Sequence, residues 1–405
     1  MLVEVLQFAA PADALLSAHF RRNSKLGSHD RERIADCVYG VLRRLLALRW
    51  LAPEATPRVL LLLWLARFQG ISLRELEPLA REKDRAKIAE AKAKSLDGAP
   101  LEVHAELPDW VVASLRDSQS DEAILALGRA LQQPAPLDLR VNIQKANRDA
   151  VLAKLHEAGI EGKPTPYSPW GIRIAQPFDL SRHPLFKEGL IEVQDEGSQL
   201  LALLTGARRG EMVADLCAGA GGKTLALGAA MASSGRLYAF DINEKRLAKL
   251  SPRLKRSGLS NVTAQVIAHE NDTRLKRLAG KLDRVLIDAP CSGLGTLRRN
   301  PDLKFRQSPD TVASLIQTQA SLIRAGAKLA KPGGRLVYAT CSLLPAENQA
   351  IVEGFLAEHP EFRRLPASEV LATARVELDT GEYLQMSPAV HGTDGFFAAV
   401  LEKQA

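Results

Sequence analysis

The chain has 405 residues, 46% of them hydrophobic and 25% charged, an ordinary globular balance that can bury a large core without disulfide or metal staples. Its formal net charge of +7 favours a polyanionic partner without proving one. No charge-free apolar run approaches the ~18 residues of a membrane span, and the opening MLVEVLQFAAPADALL has no basic stretch ahead of its apolar residues, so a cytoplasmic protein is expected.

Residues 1–132 read as all-helical. Leu42, Leu45, Leu46, Leu48 and Leu51 recur at helical spacing, and VLLLLWLARF (59–68) predicts a buried helix. Residues 81–95, REKDRAKIAEAKAKS, mix charge signs and predict a solvated helix face, with an RNA-facing surface as the alternative. Residues 133–190 change character. A strand over Leu137 to Ile143, a helix over Arg148 to Ala158 and turns at Pro164, Pro166 and Pro169 make a small α/β unit.

From about residue 191 strands and helices alternate. Strands are expected at 212–216, 235–242, 261–267, 283–290 and 333–341, with helices between them, a long amphipathic one over 310–330 and a last one over 345–358. This alternation predicts an α/β fold with a doubly wound, mainly parallel sheet. Ligands in such folds sit beyond the carboxyl ends of the strands. Cys217, Asp241, Asp288 and Cys341 all fall there.

The loop after the first of these strands is D-L-C-A-G-A-G-G-K-T (215–224). A phosphate-binding Walker loop needs glycine where Cys217 stands, and a dinucleotide fingerprint ends wrongly at Thr224. An adenosyl cofactor without phosphates fits better. Glycines let the backbone approach it, and Asp241, at the end of the next strand, suits a ribose diol. S-adenosylmethionine carries a sulfonium cation, which acids near the loop favour. A glycine-rich turn with no ligand is the alternative.

The four cysteines, Cys37, Cys217, Cys291 and Cys341, form no C-x-x-C pair, so no metal site is expected and they read as free thiols. Cys291 lies in D-A-P-C-S after the fourth strand and Cys341 in A-T-C-S after the fifth. One thiol at a strand end is commonly core. Two at matched strand ends, each followed by serine, suit the chemistry of cytosine carbon 5. A thiolate adding to carbon 6 makes carbon 5 nucleophilic, and a second group assists proton transfer and release. Asp288 is placed to hydrogen-bond the base edge at N3 or N4. An N6-adenine or N4-cytosine methylase typically has an aromatic residue in place of Cys291.

Together, DLCAGAGGKT, DAPCSGLGTLRRNPDLKF and LVYATCSLLPAENQ resemble the Nop/Sun (Fmu) family of RNA cytosine-5 methyltransferases, and within it the bacterial RsmB type that acts on small-subunit ribosomal RNA. PLDLRVN, LIEVQDEGSQLL and GTDGFFAAVLEK extend the likeness over about 134–403. The resemblance implies a Rossmann-like class I S-adenosylmethionine-dependent methyltransferase domain at 191–405 and an RRM-like RNA-binding unit at 133–190. LGSHDRERIADCVYGVLRRL is similar to the NusB-like domain that precedes the catalytic part, implying an all-α RNA-binding domain at 1–132. It further implies Cys341 as nucleophile and Cys291 as the residue that assists release. Cofactor contacts carried over by position are Cys217, Ala218, Gly219, Ala220, Gly221, Gly222, Lys223, Asp241, Asp272 and Asp288. The chain departs from the family pattern around Asp272, where N-D-T-R replaces G-D, and has Gly219-Ala220 for Ala-Pro.

Arg298, Arg299 and Lys304 follow the D-A-P-C turn and are expected to contact RNA phosphates, solvated loop charges being the alternative. Trp50, Trp64, Trp110 and Trp170 make no stacking pattern and are assigned to core packing or surface anchoring. The expected partner is RNA, ribosomal before transfer RNA, and the expected state a monomer. The competing class is a non-catalytic RNA-binding ribosome-assembly protein, whose signature would be loss of a cysteine or of Asp288.

Overall fold

The leucine spacing of the first third resolves into helices at Ser28–Arg43, Leu45–Leu51 and Pro57–Phe68 in a computed structural model that describes residues 1–404. Thr56 caps the third of these, accepting the Val59 N–H at 3.4 Å, and Pro57 occupies its first turn, where no donor is needed. Val59, Leu60, Leu62, Leu63, Trp64 and Ala66 are buried on most sides of it. Gly40 is required opposite: a Cβ there would lie 2.1 Å from Trp64 Cζ2. In the helix Glu82–Ala93 only Ile88 and Ala91 are buried, as a solvated face demands.

The chain divides into two compact units, and the division is not the linear one expected. The first unit is Met1–Pro134 together with Thr296–Thr311. The second piece lies far away in sequence, yet Phe305 stacks on Phe8 at 4.9 Å and Asp302 Oδ2 accepts the Ala12 N–H at 3.2 Å. Residues 296–311, assigned by sequence to the catalytic domain, thus fold with the helices.

The second unit holds two sheets. In the smaller, β1 (Leu137–Val141), β2 (Gly162–Pro164), β3 (Gly171–Ile174) and β4 (Ile191–Val193) pair antiparallel in the order β2-β3-β1-β4. Leu139, Val141, Val151, Leu155, Ile172 and Ile191 form its core. The boundary expected at 190 therefore cuts off a strand: β4 pairs with β1, Ile191 opposite Val141.

The larger sheet contains β5 (Met212–Asp215), β6 (Arg236–Asp241), β7 (Val262–Val266), β8 (Leu282–Asp288), β9 (Ala330–Thr340), β10 (Phe362–Leu365), β11 (Leu384–Met386) and β12 (Phe396–Lys403). Its order is β10-β12-β9-β8-β5-β6-β7, with β11 on β12. The strands β5 to β9 pair in parallel, giving the expected doubly wound centre. Its inner strands β5, β8 and β9 are buried on both faces, whereas β7 is a largely exposed edge. The other edge departs from the parallel pairing: β12 runs antiparallel between β9 and β10. Winding reverses at β5, which lies between β6 and β8, so a crevice opens beyond the carboxyl ends of β5 and β8. Among the described residues no helix is long and apolar enough to cross a membrane.

Candidate functional site

The loop leaving β5 turns back into the helix Gly222–Ala230 through Gly219 at φ +55° and Gly221 at φ +84°. Gly221 is needed twice over, since a Cβ would also meet Leu250 Cδ1 at 2.2 Å. Asp241, ending β6, stabilises the turn: Oδ2 accepts the Gly219 N–H and Oδ1 the Asn243 N–H, each at 2.7 Å. Each carboxylate oxygen keeps a lone pair for a ribose hydroxyl.

Asp215, ending β5, accepts the Thr224 hydroxyl at 2.7 Å through Oδ2, while its buried Oδ1 has no hydrogen-bond partner among the described residues. Burial pushes its pKa up to about 7. Burial, with the acids Asp215, Asp288 and Asp241, holds Cys217 as a thiol, its pKa well above the usual range. An orphaned acceptor among carboxylates fits a cationic ligand and not a triphosphate.

Lys223, the residue a Walker loop would aim at phosphate, is committed elsewhere: its Nζ is 2.7 Å from Asp288 Oδ2. Burial opposes the lysine's charge, but Asp288 outweighs it and raises the pKa above the ordinary lysine value. Asp288 is the more open of the two, 31% exposed against 11% for Lys223.

Asp272 accepts the Ala268 N–H at 3.0 Å and the Arg274 N–H at 2.9 Å and pairs with the Arg274 guanidinium. These backbone donors pull its pKa below the usual carboxylate range. Its placement is that of the N-cap of Thr273–Lys276, with its donors drawn from its own turn.

The two strand-end thiols converge. Cys291 Sγ and Cys341 Sγ are 3.4 Å apart. They meet because β8 and β9 are parallel neighbours, with Asp288 opposite Ala339 in register. The hydrogen bond to Cys341 and burial raise the Cys291 pKa well above the usual thiol value and hold it as a thiol.

Sequence reading missed what supports the glycine loop from behind. Arg140 of β1 donates to Gln194 and, at 2.6 Å, to Gly222 O. Arg253 donates to Ala220 O at 2.6 Å and pairs with Glu192 of β4 at 2.9 Å. Burial lowers the Arg140 pKa to about 10, still high enough for it to stay charged. Two charged residues, Asp138 and Arg140, inside the short buried strand LDLRV were the available signal.

The three basic residues after the cysteine turn are not a free phosphate-binding set. Lys304 is 3% exposed and Glu106 1%, joined at 3.1 Å, with the ammonium also donating to Glu106 O at 2.9 Å. Burial pushes Glu106 up and Lys304 down in pKa. Arg298 is buried, and its carbonyl accepts from Arg43 Nη2 at 3.1 Å. Arg299 is half-buried. Lys304 is thus committed to Glu106 in the core of the helical unit and is not placed as a phosphate contact. Lys304→Ala is expected to destabilise the protein by about 3–5 kcal/mol, because it strands the Glu106 charge in the core. Thermal unfolding checks this, and the paired variant Glu106→Leu/Lys304→Met should recover most of the loss. An unchanged melting temperature with a shallower salt dependence of RNA binding would restore the phosphate reading.

A parallel sheet of this order, with acids around a glycine turn and an aspartate closing that turn from the next strand, is that of the Rossmann-like class I S-adenosylmethionine-dependent methyltransferases. The sequence profile described as 16S rRNA methyltransferase RsmB/F matches residues 202–402, and its ferredoxin-like domain profile matches 107–181. The chain belongs to the RsmB/F family of 16S rRNA methyltransferases. A probable ribosomal RNA small subunit methyltransferase B of Synechocystis sp. is 36% identical over 73% of this chain and 66% of that protein. One of the same name from Bacillus subtilis is 29% identical over 100% of this chain and 97% of its own length. A solved methyltransferase homolog from Pyrococcus horikoshii superposes with TM-score 0.59 at 28% identity, covering 73% of this chain and 100% of that one.

Proposed function

We propose that this protein methylates carbon 5 of a cytosine in small-subunit ribosomal RNA, with Cys341 as nucleophile and Cys291 as the releasing group. The observation that carries the reading is the thiol pair itself: two sulfurs 3.4 Å apart at adjacent strand ends, one of them held protonated. Family membership and the names of the relatives support ribosomal RNA as the substrate.

The loop 217–223, Asp241 and the unpartnered Asp215 Oδ1 would hold S-adenosylmethionine, with Asp272 shaping the neighbouring turn. When bound, that cofactor supplies an electrophilic methyl group. Cys341 adds to carbon 6 of the ring, and the displaced π pair makes carbon 5 the nucleophile. Asp288, fixed by Lys223, accepts a hydrogen bond from the N4 amino group and holds the base edge in place. After transfer, the carbon 5 proton leaves to a base, the 5,6 double bond re-forms and Cys341 departs as a thiolate. Cys291 stabilises that leaving sulfur by donating its thiol hydrogen bond. Arg299, half-buried after the cysteine turn, is the remaining candidate for a phosphate contact.

Purified protein given 16S ribosomal RNA and methyl-labelled cofactor should place label in 5-methylcytidine and in no other nucleoside, read by chromatography of the digested RNA. Label in methyladenosine or N4-methylcytidine would sink the carbon 5 reading. Bisulfite sequencing of ribosomal and transfer RNA from a deletion strain would then name the nucleotide.

A further inference from the structure

We infer that Glu347 is a positioning residue for the thiol pair: its carboxylate ties the turn carrying Cys291 to the turn carrying Cys341 and so sets the distance between the two sulfurs. Glu347 sits in the short 3-10 turn Pro345–Glu347, six residues after Cys341, and is fully buried at 0% exposure. Its Oε1 accepts the Ser292 N–H at 2.8 Å, immediately after Cys291. The same oxygen accepts Gln319 Nε2 at 2.9 Å, and Gln319 also donates to Pro290 O at 2.9 Å, immediately before Cys291. Its Oε2 accepts the hydroxyl of Ser342, immediately after Cys341. The Ser292 and Ser342 hydroxyls are themselves 3.1 Å apart. One neighbour of each cysteine is thus anchored directly on Glu347, and the other neighbour of Cys291 is tied to it through Gln319.

The anchor is itself held. Tyr338, in the core of β9, donates to Glu347 O at 2.7 Å. A carboxylate is a costly choice for such a place, since an amide, a carboxamide and a hydroxyl are uncharged donors and an apolar residue would fill the space more cheaply. It gives two adjacent acceptor oxygens with four lone-pair sites, enough to bind both turns at once.

This inference rests on the cysteine mechanism proposed above, so its test has one arm that needs no RNA. Two variants of the full chain separate arm length from charge: Glu347→Gln keeps the length, and Glu347→Asp keeps the charge but is one methylene short. Cofactor binding by calorimetry is expected to be unchanged in both. Positioning predicts that Glu347→Asp loses ~100-fold in kcat with KM for RNA within ~3-fold, and that Glu347→Gln stays within ~3-fold of wild type in both. In RNA-free protein, diamide should join Cys291 to Cys341 ~10-fold more slowly in Glu347→Asp than in wild type or Glu347→Gln, read by peptide mass spectrometry.

Wild-type kcat and wild-type diamide coupling in Glu347→Asp would overturn the inference. So would Glu347→Gln losing as much as Glu347→Asp, which would make the charge and not the span the essential property. If diamide coupling slows in Glu347→Asp while even the wild-type protein makes no 5-methylcytidine, positioning stands and the cytosine reading falls.

Discussion

Cys341→Ala is expected to abolish methyl transfer, a loss of more than ~10³-fold in kcat, with cofactor affinity unchanged. Removing the sulfur leaves the cytosine ring without its nucleophile, and carbon 5 is then too poor in electrons to attack a methyl group. The loop that would hold the cofactor lies at the end of β5 and does not depend on this thiol, since its turn is closed by Asp241 and Gly221. The variant should therefore bind S-adenosylmethionine normally and form no covalent complex with RNA carrying 5-fluorocytidine. Filter-bound label and a denaturing gel read the two effects. Retained turnover in Cys341→Ala, with turnover lost in Cys291→Ala, would reverse the roles of the two residues.

What the sequence disclosed follows from the range of the forces involved. The strands β5, β6 and β8, and the second half of β9, were legible because each is a mainly apolar run closed by a polar turn. The antiparallel insertion of β12 was not, because pairing of Phe397 with Thr340 and of Leu401 with Arg364 is settled only when the whole sheet assembles. Both thiols were legible as strand-end residues, and their meeting required only that β8 and β9 be neighbours.

Buried charges were the reverse case. Lys304 reads in sequence as one more cation in a basic loop, and only its partner Glu106, 198 residues earlier, makes it a core residue. Glu347 stands in the same position: its partners Ser292 and Gln319 lie 55 and 28 residues away, and nothing local marks it as more than a turn residue. Hydrophobic periodicity reports which face of an element is buried. It carries no information on which polar group will be satisfied there, since that depends on contacts distant in the chain.

The same asymmetry between the thiols leads to the second large effect. Cys291→Ala should still add Cys341 to carbon 6 and still transfer the methyl group once, because neither step uses the second sulfur. Elimination is the step that suffers. Cys341 must leave as a thiolate in a partly buried crevice, and the protonated thiol 3.4 Å away is the donor placed to receive it. Alanine removes that donor, and the expected outcome is a slowdown of ~100-fold or more in release. Single-turnover methylation should then proceed while multiple turnover stalls, with a covalent protein–RNA band accumulating on denaturing gels. The band should vanish in the double variant Cys291→Ala/Cys341→Ala, which tests that Cys341 is the linked residue. Free protein alone on the gel, with product made at the wild-type rate, would remove Cys291 from the release step and leave the 3.4 Å contact without a catalytic use.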